Sequence, residues 1–253
     1  MSVALSGLVV RIGRFELGPV EVSLRPGRVT ALVGANGAGK TTLLRAACGV
    51  QPLHAGSVSI EGRVLAGMSS GERAARLAFV SQRPAAPPAL TVRELVELGR
   101  LRLARDRAAV DRALLEVGLD GRASDAVASL SAGQLHRAAV ARMLAQVQAS
   151  TRLVALDEPT GSLDPAWGSV MGTIMRRIAA HGAAVVVATH DFAFLGTCCD
   201  DAIALAGGRL DRSGPVAEVA THDVMARLFG TPFVPVSGLR DRPVALPAWH
   251  QVS

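Results

Sequence analysis

Residues 28–42 read RVTALVGANGAGKTT: a β-branched apolar run, a loop with glycine at 34, 37 and 39, then Lys40, Thr41 and Thr42 opening an Ala- and Leu-rich segment. The stretch satisfies G-x-x-x-x-G-K-[ST] in its strand, loop, helix context, and that reading decides the fold. Gly34, Asn36, Gly37 and Gly39 form the loop, whose glycines let the backbone curl so that successive N–H groups point inward at phosphates. Lys40 is expected to neutralise the β and γ phosphates, and Thr41, followed by Thr42, to set a hydroxyl on Mg²⁺. The helix starting near Lys40 directs its positive dipole end at the same anion.

Outward from this loop, short β-branched runs recur at 77–81, 153–156 and 185–188 with helical stretches between them, which indicates an α/β fold with a mainly parallel sheet. The runs at 3–10, 20–24 and 57–61 alternate instead, as one-face-wet strands of an antiparallel β layer do. Residues from about 91 to 147 carry helix patterns with almost no strand signal, so an inserted helical subdomain is expected. Its segment 91–100 reads as an amphipathic helix with Val92, Leu95, Val96 and Gly99 inward. Pro84, Pro87 and Pro88 mark a linker or hinge before it. The last stretch, 231–253, holds four prolines and few periodic apolar positions, and is expected as a surface-draped or mobile tail after a domain of residues 1–230.

Composition narrows the class. With 49% hydrophobic residues the chain can bury a full core, and 27 basic residues against 21 acidic ones are spread too evenly to form a cationic block. A small anion such as a nucleotide suits that charge as well as nucleic acid does. The three cysteines, 48, 198 and 199, write no disulfide framework. No segment approaches the roughly 20 apolar residues of a spanning helix, and the opening MSVALSGLVV lacks a basic n-region and a cleavage site. The expectation is a cytoplasmic chain whose membrane role comes through partners.

A second site follows at 153–158, LVALDE, an apolar strand ending in two carboxylates at the sheet edge where ligands bind. Asp157 suits Mg²⁺, mostly through water, and Glu158 suits the attacking water. Between the two sites lies 130–134, LSAGQ, with Arg137 beyond it on a helix. Alone, Ser131 would be an ordinary helix cap. In this position the pentapeptide resembles the signature of the ABC-type ATPases, and the likeness covers residues 1 to about 215. The resemblance implies a head-to-tail dimer in which Ser131, Gly133 and Gln134 of one copy close on the γ-phosphate held by the other. It also implies a Q-loop residue at Gln82 with catalytic and metal roles, a D-loop aspartate at Asp164, and a switch histidine at His190. ATP and Mg²⁺ are the implied cofactors.

The chain departs from the family pattern at three places. Ile12 stands where an adenine-stacking aromatic is usual, with Phe15 close by, while Ala132 and Gly161 replace one small residue by another. Segment 91–100, ARMLAQ at 141–146 and RLFG at 227–230 resemble importer ATPases for iron-siderophores, haem and cobalamin. That likeness implies a polytopic permease, a substrate-binding protein, and a peripheral position on the inner face of the cell membrane. An exporter cassette is the alternative within the family. Soluble relatives acting on ribosomes or DNA fit less well, because Ser131 follows Lys40 by only 91 positions, and no nucleic acid is expected as a partner.

Overall fold

Strand β3 (Val29–Val33), all five of whose residues are buried, lies at the middle of the main sheet of the chain's computed structural model. The structure describes residues 3–161, 165–239 and 242–247. Before β3 come β1 (Val3–Ile12) and β2 (Phe15–Leu24); after it come α1 (Lys40–Ala47), β4 (Ala55–Ile60), β5 (Arg63–Val64), α2 (Ser70–Arg76) and β6 (Leu77–Val80). The helical region holds α3 (Val92–Glu97), α4 (Arg107–Glu116) and α5 (Ala132–Gln146). Then β7 (Leu153–Asp157), α6 (Pro165–Ala180), β8 (Ala184–Ala188), α7 (Phe192–Cys198), β9 (Asp201–Ala206), β10 (Arg209–Pro215), α8 (Val216–Val219), α9 (His222–Phe229), β11 (Phe233–Leu239) and β12 (Arg242–Pro247) follow.

The main sheet runs β10-β9-β3-β8-β7-β6, parallel throughout except for the β9–β10 hairpin. Strict alternation divides its central strands between two cores. Val29, Ala31, Val33, Val154, Leu156, Val185 and Val187 face the core shared with the helical region and α6. Leu32, Leu153, Ala155, Val186 and Ala188 face α1 and the antiparallel sheet β2-β1-β4-β5. A strand covered on both faces needs apolar residues at every position, hence the unbroken hydrophobic runs. On α3, Val92, Leu95 and Val96 are all buried, in keeping with the amphipathic reading.

Asp200 ties down the amino end of β3: its Oδ2 accepts from the Val29 N–H at 2.9 Å, and Arg176 donates to both its oxygens at 2.8 and 2.9 Å. β11 and β12 pair antiparallel, and Phe233 is buried against Phe192 and Phe229. In a two-stranded ribbon each strand keeps a free edge, so Pro235 and Pro247 cost no ladder bond that a third strand would need.

Candidate nucleotide-binding site

The carboxyl ends of β3, β6, β7 and β8 converge, and each delivers one of the residues singled out above. From β3 the chain enters the loop 34–39. Gly39 has φ 102° and is the N-cap of α1, where a Cβ would stand 3.0 Å from Leu17 Cδ1 and 3.1 Å from Phe15 Cζ. Only glycine suits both the angle and the space. α1 has no side-chain cap, so its first-turn N–H groups, those of Lys40, Thr41 and Thr42, are donors for an anion. Asn36 and Gly37 are exposed at the crest of the loop. Lys40 is 7% exposed and donates from Nζ to the carbonyls of Gly34 at 2.7 Å and Ala35 at 3.2 Å. Burial pulls its pKa down, opposed by the charges of Glu158 and Asp157. Ile12 and Phe15 pair across the β1–β2 turn; Ile12 is 47% exposed, and Phe15 packs against the loop.

Asp157 ends β7 at 2% exposure. Its carboxyl receives a side-chain hydrogen bond from Thr41, while Oδ2 has no partner. A buried oxygen of this kind is costly unless something cationic meets it, and burial accordingly pushes its pKa up. Among the described residues no three His, Cys, Asp or Glu side chains cluster as a metal site. A hard cation here would be held by Asp157 and the Thr41 hydroxyl, a donor set that suits Mg²⁺ completed by water and phosphate oxygens.

Glu158 holds a left-handed backbone, φ 51°, uncommon for a residue with a side chain and costing on the order of 1 kcal/mol. Its N–H donates to the Ala188 carbonyl at 2.9 Å and its carbonyl accepts from Gly161 at 3.1 Å, which over-determines the turn. The turn brings the carboxylate between two partners: Gln82 Nε2 donates to Oε2 at 2.7 Å, and His190 Nε2 lies 3.1 Å from Oε1. Burial lowers the His190 pKa, Lys40 lowers it further, and Glu158 opposes both.

Ser131 caps α5: its hydroxyl accepts from the Gln134 N–H at 3.2 Å while Gln134 Oε1 accepts from the Ser131 N–H at 2.9 Å. This reciprocal box starts the helix at Ala132, as a cap at Ser131 requires, and fixes the first turn around Gly133. Accepting leaves the hydroxyl hydrogen of Ser131 available to an anion. Among the described residues no hydrogen bond or ion pair joins Ser131, Gly133 or Gln134 to the loop 34–42. Asp164 lies outside the described residues.

Two residues escaped the sequence reading. Trp167 Nε1 donates to the Pro159 carbonyl at 2.9 Å, and His136, buried on α5, hydrogen-bonds to the same carbonyl. The Arg137 guanidinium sits 4.8 Å from the Trp167 ring centroid. The residue after Glu158 is thus held from α5 and α6 together.

The sequence pattern of the ABC transporter family matches residues 17–161, more than half of the chain. The chain belongs to the ABC transporter family. It is an ATP-binding, ATP-hydrolysing subunit of that family. Its relatives include the hemin import ATP-binding protein HmuV of Pseudomonas entomophila, 38% identical over 89% of this chain and 91% of that one. HmuV of Rhodococcus jostii is 36% identical over 88% and 78% respectively. The cobalamin import ATP-binding protein BtuD of Halobacterium salinarum is 36% identical over 90% of this chain but 59% of its own length. In fold, the chain resembles a metal-chelate type ABC transporter structure at TM-score 0.80 and 22% identity, covering 98% of both chains. It also resembles an ATP-bound Atm1-family ABC exporter at TM-score 0.77 and 24% identity, covering 89% of this chain and 42% of that one. Among the described residues no helix is long and apolar enough to cross a membrane.

Proposed function

We propose that this ATPase works as a pair of copies beneath a polytopic permease, on the cytoplasmic face of the membrane, and powers import of a metal chelate of the hemin, cobalamin or iron-siderophore kind. The exporter neighbour shares the fold, so fold alone does not choose a direction; the import names of the relatives that cover most of the chain support this one. A substrate-binding protein outside the membrane completes the proposed machine.

The observation that carries the chemistry is the Glu158 carboxylate held between Gln82 and His190. In the proposed reaction Glu158 takes a proton from water as the water oxygen bonds to the γ-phosphorus and the bond to the β–γ bridging oxygen breaks, releasing ADP and phosphate. Lys40 and the first-turn N–H groups of α1 bind the phosphate charge, and Gln82 and His190 orient the carboxylate and the water. Asp157 and Thr41 would hold Mg²⁺, which neutralises charge on the β and γ oxygens when bound. Ser131, Gly133 and Gln134, with Asp164, are proposed to act on the nucleotide of the second copy.

Purification of the tagged chain from native membranes tests the assignment. Co-purification of a many-helix permease, with ATPase activity stimulated by a binding protein loaded with chelate, is the expected result. Recovery of an export permease, or stimulation by ribosomes or DNA, would leave the hydrolysis chemistry standing and remove import.

A further inference from the structure

The His190 ring has a second neighbour besides Glu158. The ring of Phe229 meets it edge to face, with centroids 6.3 Å apart and planes at 74°. Phe229 is itself clasped: Phe192 stands edge-on to it at 5.2 Å, Phe233 lies at 5.7 Å, and Phe192 and Phe233 close the triangle at 5.0 Å. The three come from different elements. Phe192 opens α7 two residues after His190, Phe229 is the last residue of α9, and Phe233 opens β11. α9 is anchored by buried Val224, Met225 and Leu228 and capped by Thr221. The left-handed Gly230, φ 65°, ends it and turns the chain so that Phe233 returns beside Phe229 within four residues. All of these elements lie beyond the family match at 17–161.

His190 lies two residues past the end of β8 at Ala188, and its side chain is 35% exposed, so the strand places its Cα but leaves room for the ring to turn. In the orientation the ring adopts, Nε2 lies 3.1 Å from Glu158 Oε1. We infer that Phe229, clasped by Phe192 and Phe233, is a positioning residue for ATP hydrolysis: its ring holds the His190 imidazole in the orientation that meets Glu158. This inference rests on the proposed roles of Glu158 and His190. It gives the segment 222–239 a part in the catalytic step, where the sequence offered only the RLFG likeness at 227–230 and a proline-bearing tail.

The test is steady-state ATP hydrolysis by the purified full chain, with kcat and KM separated and thermal melting as a check on folding. Phe229→Leu keeps an apolar side chain but removes the ring; it should lower kcat about fivefold while KM for ATP stays within about twofold. Phe229→Tyr keeps the ring, and because the position is partly exposed its hydroxyl can reach water; it should restore kcat. Should the leucine variant not fold, Phe229→Met, whose unbranched, flexible side chain adapts to the gap, takes its place with the same expectation. A Phe229→Leu or Phe229→Met protein that melts lower but keeps the wild-type kcat would overturn the inference and leave the triangle as packing alone. His190→Ala is the control for the underlying reading: wild-type hydrolysis in that variant would remove His190 from the reaction, and the inference with it. Loss of hydrolysis in His190→Ala with none in the Phe229 variants would remove only the inference.

Discussion

Lys40 is the only lysine in the 253-residue sequence, every other basic side chain being arginine. Arginine serves for surface charge, but a compact ammonium on a flexible stem suits a point contact with phosphate inside a narrow loop. Lys40→Ala should therefore weaken ATP binding by about 2–3 kcal/mol, roughly 30- to 150-fold in Kd, since hydrogen bonds to charged groups carry that much. Isothermal titration checks it, and unchanged affinity would contradict the assignment. Uniqueness provides a second measurement. An amine-acetylating reagent should modify one side chain, and saturating ATP with Mg²⁺ should protect it; modification indifferent to ATP would put the nucleotide elsewhere. Glu158→Gln should bind ATP as the wild type does but turn over about 10²- to 10⁴-fold more slowly, the span of a general base. Wild-type hydrolysis would exclude Glu158 as that base. Glu158 was legible because it stands at the end of an apolar run, at the edge where parallel strands present their ends, and Lys40 because it closes the glycine loop that follows one. His136 and Trp167 were not, because their shared partner is the carbonyl of Pro159, and a backbone acceptor leaves no mark in sequence.

At the scale of elements, β3 must hold its register for the loop after it to keep its shape, and Asp200 is its anchor. Burial alone would raise the pKa of Asp200. The Val29 N–H and the Arg176 guanidinium outweigh it, so the pKa in the folded chain lies below the ordinary carboxylate value. A depressed acid contributes stability above its unfolded pKa, near 3.8, and loses that contribution as pH falls through the lower folded value. Asp200→Asn should thus melt lower at pH 7, by about 1–3 kcal/mol of stability, because Arg176 and the amino end of β3 lose a charged acceptor. The gap should narrow as pH falls below about 4 and close only below the lower folded value, where the native carboxyl is itself protonated. A gap that stays constant from pH 7 to pH 3 would assign the loss to packing instead. The sequence announced β3, β7 and β8 by unbroken apolar runs. β10 was silent, since RLDRSGP is a mostly exposed edge strand with no alternation to read. The start of α5 was legible in the cap residue Ser131, and the box partner Gln134 is the third helical residue. β11 and β12 were hidden behind prolines that a two-stranded ribbon tolerates.

For the whole molecule the informative feature is a separation. The loop 34–42 and the cap of α5 are both built to present donors to an anion, yet no hydrogen bond links them among the described residues. In the proposed pair, each loop meets the α5 cap of the other copy, so every nucleotide is enclosed by two chains. Closure then depends on ATP, and slow hydrolysis should preserve it. Glu158→Gln with ATP should give a dimer by light scattering, returning to monomer with ADP. Ser131→Asp in that background separates the two halves of the site. Aspartate caps a helix as well as serine does, so α5 keeps its start, but its carboxylate replaces a donor with a negative charge facing the γ-phosphate. If the caps act across the pair, the doubly substituted chain should stay monomeric with ATP while its Kd for ATP stays within about threefold of the Glu158→Gln parent. If instead Ser131→Asp weakens ATP binding to the monomer itself, the cap reaches the nucleotide of its own chain, and the head-to-tail arrangement is wrong.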